Sequence, residues 1–128
     1  MMATITKTIL LINGDPNLRE AMADYLHYFG GWNILTTRDP LNALASASQN
    51  PPDAILFDLS TYGMTFFSFL KQLRAQPETQ DMPVILLALS MTWFDFEMPQ
   101  ELRVTGVIND NPSADIAKKI AALLNWDC

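Results

Sequence analysis

The chain has 128 residues, 49% of them hydrophobic and 17% charged, which fits one domain with a core that needs neither disulfides nor a metal and excludes a disordered segment. Eight Lys and Arg against fourteen Asp and Glu give a net charge of −6, so the clustered basic surface of a nucleic-acid binder is not expected. No apolar segment approaches membrane-spanning length, no basic leader opens the chain, and the single cysteine, Cys128, excludes an internal disulfide; a cytoplasmic protein without membrane contact is expected.

In chain order, Ile9-Leu10-Leu11-Ile12 is a short continuous apolar run of the kind found in strands buried on both faces. Asp15-Pro16 follows as an N-cap with proline at the first helical position, and Leu18, Met22, Leu26 and Phe29 recur along one face of a helix that Gly30-Gly31 stops. Trp32 to Thr37 predicts a second strand, after which Asp39-Pro40 repeats the cap signature ahead of a helix whose apolar positions read as Leu41, Leu44 and Ala45. "DAILFDLS" predicts a third buried strand ending at Asp58. Phe66, Phe67, Phe69, Leu70 and Leu73 give the third helix a wide apolar stripe, with Pro77 and Pro83 bracketing the loop beyond it. "VILLAL" reads as a fourth strand, Thr92 to Leu102 as a short or irregular helix, and "GVI" as a brief fifth strand. Ser113 is the expected cap of a final helix that buries Ile116, Ile120, Leu123 and Leu124. His27 reads as a surface or partly packed imidazole, and Lys118 and Lys119 as solvated side chains.

Continuous apolar strands joined through helices call for a parallel sheet covered on both faces, and right-handed crossovers make a doubly wound sheet the natural solution. The expected fold is therefore α/β: a single doubly wound (βα)5 domain over residues 1–128, with a parallel five-stranded sheet in the order 2-1-3-4-5. Sites in such sheets lie at the carboxyl ends of the strands. Those positions are Asn13-Gly14-Asp15, Asp58, Ala88 to Ser90, and Asn109 to Pro112.

"DPNLREAMADYL", "RDPLNAL", "PDAILFDLSTYGM" and "KQLRAQPETQDMPVILLAL" carry a resemblance that covers nearly the whole chain. Together they make it similar to the receiver domain of two-component response regulators, a flavodoxin-like fold. The resemblance implies phosphoryl transfer onto an aspartate, with the carboxylate as nucleophile and Mg²⁺ neutralising charge on the phosphate oxygens. Asp58 falls on the phosphoacceptor position; its bland alternative is a strand-end aspartate that turns the chain.

The neighbours of Asp58 depart from the family pattern. Where the family has two adjacent acidic residues that help hold the metal, this chain has Asn13 and Gly14. Asp15 corresponds to the next residue and reads first as a helix cap, with at most a weak metal contribution through water. Ser60 matches a position that lends only a backbone carbonyl. The family's hydroxyl residue after the fourth strand falls on Ala88, and Ser90 lies roughly 6–7 Å further along an extended chain. The family's lysine falls on Asp110 by spacing or on Asn111 by its place before Pro112, so the pairing cation is absent in either case. With Asp58 as the one remaining carboxylate, Mg²⁺ binding is expected to be weak, and no other cofactor is implied.

A flavin site would want a Ser/Thr/Gly-rich loop after the first strand, and "NGDPNLRE" does not supply one. A phosphatase built on an aspartyl phosphate would want a carboxylate where Ser60 stands. Met91, Trp93, Phe94, Phe96 and Met98 have no counterpart in the family pattern; they read either as core padding or as a partner-binding patch. Receivers commonly pair through the face formed by their last strand and last two helices. The reading is thus a stand-alone receiver-like signalling domain with a degenerate phosphorylation pocket, a pseudo-receiver and not an enzyme. It acts by contact with another signalling protein, a histidine kinase, or a second copy of itself. The alternative is a functional response regulator that accepts phosphate on Asp58 from a histidine kinase or phosphotransfer protein.

Overall fold

The computed structural model describes residues 6–59, 66–88, 103–108 and 115–126. Strands β1 (Thr8–Ile12), β2 (Asn33–Thr37), β3 (Ala54–Asp58), β4 (Val84–Leu87) and β5 (Gly106–Ile108) form one sheet in the order β2-β1-β3-β4-β5, with every pairing parallel. Helices α1 (Pro16–Gly30), α2 (Pro40–Gln49), α3 (Phe66–Ala75) and α4 (Ile116–Leu124) cover it. The expected topology is the one observed, including the brief fifth strand.

Alternation along the strands divides the core into two layers. Ile9 and Leu11, Leu56, Ile85 and Leu87 face α1 and α4, where they meet Met22, Leu26, Ile116 and Ile120. Leu10 and Ile12, Ile55 and Phe57, Val84 and Leu86 face α2 and α3, where they meet Leu44, Phe69, Leu70 and Leu73. Each fully buried aliphatic or aromatic side chain contributes about 1.5–3 kcal/mol relative to exposure, so the central strands carry most of the stabilisation.

The helix caps follow the chain's own signals. Asp15 Oδ1 accepts from the Asn17 and Leu18 amides, and Asp39 Oδ1 accepts from the Leu41 amide. Gly31 ends α1 in the left-handed region at φ 72°, which glycine enters at no steric cost. At α4 the cap position is held by Asp115, whose side chain makes no capping hydrogen bond, and the expected cap Ser113 lies outside the described residues. The helix expected from Thr92 to Leu102 also lies outside them.

Burial corrects several apolar faces. On α1, Met22 and Leu26 are buried while Leu18 and Phe29 are exposed, because the stripe advances around the helix at each i+4 step and its flank clears the sheet. On α2, Leu41 is 59% exposed and Ala45 is exposed too, whereas Pro40, Ala43, Leu44 and Ala47 are buried. That i, i+3, i+4, i+7 set was present in the chain; the bulk of Leu41 outweighed the small alanines that let the helix approach the sheet. Phe67 and Leu123 also face outward, and α4 buries Ala117 and Ala121 in addition to Ile116 and Ile120. His27 is exposed, and its Nδ1 donates to the Trp32 carbonyl at 2.7 Å.

Two further contacts close the fold. Trp32, almost fully buried, meets Trp126 edge to face at 5.7 Å, and Lys7 Nζ lies 5.5 Å from the Trp126 ring, so both ends of the described chain are held at one place. Arg74, at the end of α3, donates to the carbonyls of Thr79, Gln80, Met82 and Arg103. Burial and the nearby Arg103 guanidinium hold the Arg74 guanidinium below the ordinary arginine range, with Asp81 opposing them.

Two stability predictions follow from these contacts. In an open helix Gly→Ala gains up to about 1 kcal/mol, but a Cβ on Gly30 would stand 2.5 Å from Trp32 Cε3. Gly30→Ala is therefore expected to destabilise by about 1–3 kcal/mol, an overpacking cost that thermal melting reads directly. Arg74→Met keeps the apolar stem and strands the carbonyls; urea unfolding should show a loss of roughly 1–3 kcal/mol with an unchanged m value.

Candidate functional site

The β1–β3 register pairs Ile12 with Phe57, so the next step brings Asn13 level with Asp58 at the carboxyl edge of the sheet. By alternation Asp58 shares the face of Leu56, the side covered by α1 and α4. Both polar residues are buried, Asn13 completely and Asp58 to 4% exposure. A buried carboxylate is costly unless hydrogen-bonded, and Asn13 Nδ2 donates to Asp58 Oδ2 at 3.0 Å. Asn13 Oδ1 accepts from the Asp15 amide at 2.7 Å. These two bonds set the orientation of the amide, since a flip would oppose donor to donor at Asp15 and oxygen to carboxylate at Asp58.

The backbone of Asn13 is held as firmly. Its N–H donates to the Thr37 carbonyl at 3.0 Å, and its carbonyl accepts from Arg19 Nη1 at 2.8 Å. One residue at the end of β1 thereby ties together the edge strand β2, the first turns of α1 and the carboxylate of β3. Arg19 is the member of this group that the sequence did not reveal. A cation one turn into a helix reads as a solvated side chain until the fold brings it back to the preceding strand.

Of the other expected pocket positions, Asp15 is exposed and its Oδ1 is engaged at the helix cap. Gly14 is half-buried beside it. Ala88 is 2% exposed, sends its amide to the Ile108 carbonyl at 2.8 Å, and offers only a methyl group on its side chain. It follows Leu87, the register partner of Asp58, by one residue. Ser60, Asp110 and Asn111, like Ser90 and the aromatic residues Trp93, Phe94 and Phe96, lie outside the described residues.

Among the described residues, the Asn13 side chain does not suit Mg²⁺. The ion prefers charged oxygen ligands, whereas Asn13 turns an amide N–H toward Asp58 and its oxygen already accepts from Asp15. Among the described residues, no three His, Cys, Asp or Glu side chains converge as a metal-binding group. Nor is any described helix long and apolar enough to cross a membrane.

Comparison with known proteins places these features in a family. The receiver domain of the sensor histidine kinase PA1611 from Pseudomonas aeruginosa, solved with a magnesium ion coordinated in its active site cleft, superposes with a TM-score of 0.78 over 95% of this chain and 98% of its own, at 22% identity. The Vibrio cholerae chemotaxis protein CheY4 superposes at 0.77 over 93% and 99%, also at 22% identity. In sequence, the probable transcriptional regulatory protein TcrX of Mycobacterium tuberculosis is 35% identical over 80 residues, 62% of this chain and 33% of that protein. The response regulator PleD of Caulobacter vibrioides is 36% identical over 56 residues, 44% of this chain and 12% of that protein. The chain thus spans about a third or less of the curated relatives it matches. Residues 9–109 match the model of the response regulator receiver domain, which takes in β2 through β5, all of β1 but Thr8, and both members of the Asn13–Asp58 pair, and the chain belongs to that family.

Proposed function

We propose that this receiver domain works without phosphoryl transfer, as a signalling module that presents a constitutive surface to another protein. The observation that carries the reading is the 3.0 Å bond from the Asn13 amide to the buried Asp58 carboxylate. The amide supplies, from within the chain, the compensation a buried carboxylate needs, and it puts an N–H where a metal ion would need an oxygen. Catalysis of acyl phosphate formation needs charge neutralisation on the phosphoryl oxygens, and the methyl of Ala88 contributes nothing to it. The lysine place, taken by Asp110 or Asn111, brings no cation.

On this reading the domain is not an enzyme, and its information lies in which surface it shows and not in a switch between two states. Its partner is a second signalling protein, a histidine kinase or another copy of the chain. Trp93, Phe94 and Phe96 are the sequence's candidates for the contact, because aromatic side chains dominate interface energetics. A second reading keeps phosphorylation. The presence of Asp58 at the carboxyl end of the central strand favours it, and the phosphate would come from a histidine kinase or phosphotransfer protein.

Incubation with acetyl phosphate and Mg²⁺, followed by intact-mass measurement, separates the two. No phosphoryl adduct is expected. A stable gain of one phosphoryl group that disappears in Asp58→Asn establishes the second reading. Gly14→Asp should improve Mg²⁺ affinity more than it improves phosphorylation, since it restores a carboxylate but neither the hydroxyl nor the cation.

A further inference from the structure

The two edges of the sheet are built differently. β5 is three residues long, whereas β2 runs for five, Asn33 to Thr37, and contains neither a charge nor a proline. Proteins ordinarily blunt an exposed edge with lysine, proline, a bulge or a very short strand, because its unpaired backbone groups invite another strand. Asn33, Leu35 and Thr36 are exposed, Leu35 to 41%.

The register with β1 fixes which groups point outward. Asn33 N–H donates to the Lys7 carbonyl and the Thr37 carbonyl accepts from the Asn13 amide, so residues 33, 35 and 37 turn their backbone groups to β1. By alternation the N–H and carbonyl of Ile34 and of Thr36 face away from the sheet. The preceding outward carbonyl, that of Trp32, is already taken by His27 Nδ1 at 2.7 Å.

We propose that β2 is a docking edge for the β2 of a second copy of this chain, paired antiparallel about a two-fold axis at Leu35, so that the two five-stranded sheets become continuous. In that register Ile34 of each chain exchanges both backbone bonds with Thr36 of the other. Leu35 stands opposite the second copy's Leu35 in a pair without backbone bonds, where Cα atoms lie about 4.5 Å apart and side chains come closest. Asn33 stands opposite Thr37, polar against polar. Moving the two-fold to Ile34 would call on the Trp32 carbonyl, which His27 occupies, and moving it to Thr36 would set Leu35 against Thr37.

Charge selects a second copy as the occupant. A cation, Arg38, follows β2, and the carbonyl end of α1, the negative pole of the helix dipole, precedes it at Gly30. Antiparallel pairing therefore sets the cation of each chain against the negative helix end of the other. Arg38 comes opposite Trp32 of the second copy, and alternation places it on the same side of the sheet as Ile34, the side that α1 covers. Its side chain is exposed and has no hydrogen-bond or ion-pair partner among the described residues, while the neighbouring Asp39 is engaged at the α2 cap. No like charges face each other in this register, although each chain carries −6 overall. A stable interface buries roughly 1,200–2,000 Å², more than one short strand supplies, so the pairing is reversible and depends on concentration.

The test is sedimentation of the purified full chain over a concentration series, with hydrogen exchange followed at single amides. A monomer–dimer equilibrium is expected. The amides of Ile34 and Thr36 should exchange more slowly as the dimer fills, and that of Leu35, bonded to β1 in both states, should keep its rate. Thr36→Pro removes an outward N–H that the monomer does not use, so it should melt near the parent and lose the dimer. Leu35→Lys sets two ammonium groups opposite each other and should lose it as well, most completely at low salt. Arg38→Glu should weaken association by roughly fivefold or more. If Thr36→Pro does not fold, the exchange profile of the parent decides. A chain that stays monomeric at every concentration overturns the inference, as does a dimer that leaves Ile34 and Thr36 exchange unchanged or that persists in folded Thr36→Pro. A dimer lost in Trp93→Ala but retained in Thr36→Pro also overturns it and assigns the contact to the aromatic segment. The pairing holds whether or not Asp58 accepts phosphate, so a phosphoryl adduct would refute the proposed function and leave these readouts untouched.

Discussion

Strands β1, β3 and β4 present neither face to water, and this double burial is the constraint on which the rest of the architecture depends. A strand covered on both sides cannot end in a polar residue without finding that residue a partner. The sheet solves this at its carboxyl edge by running β1 and β3 out together, so that the asparagine after one reaches the aspartate ending the other. The parallel arrangement makes this possible. Antiparallel neighbours would put these two strand ends at opposite edges of the sheet.

The Asn13–Asp58 bond is small in energy beside the apolar core, since a hydrogen bond to a charged group contributes about 1.5–3 kcal/mol. Its importance is chemical. It decides that the carboxylate at the site characteristic of this family is held by a neutral donor from its own chain. The Asp15 amide and the Arg19 guanidinium reinforce that choice from the start of α1, and the Thr37 carbonyl does so from β2. The pocket is therefore connected to both faces of the β1 turn, and a change of charge at Asn13 bears on the edge strand and the first helix as well as on Asp58.

Much of this was legible before any coordinates. Apolar runs of four to six residues, each followed by Asp-Pro or a turn, specify strand and helix with little ambiguity, because a fully buried strand must be apolar at every position and a helix must be capped. The identities of Asn13, Gly14, Asp58 and Ala88 at the strand ends were equally plain, since identity at a position needs no geometry. The apolar faces were less legible. Leu18, Phe29 and Leu41 are as hydrophobic as the residues that are buried, and only the outline of the sheet decides which flank of each stripe it covers. Ala43, Ala47, Ala117 and Ala121 do not stand out in the sequence, because close packing selects small residues for their fit and not for their hydrophobicity.

By itself, then, the sequence determined the order of elements, the parallel sheet and the caps of α1 and α2, all of which depend on local composition and periodicity. The tertiary structure decided where the remaining polar atoms point. That Asn13 turns its nitrogen to Asp58 and its oxygen to Asp15, and that Arg19 returns to the Asn13 carbonyl, depends on strand register and helix docking. These are long-range relations, and no spacing along the chain encodes them.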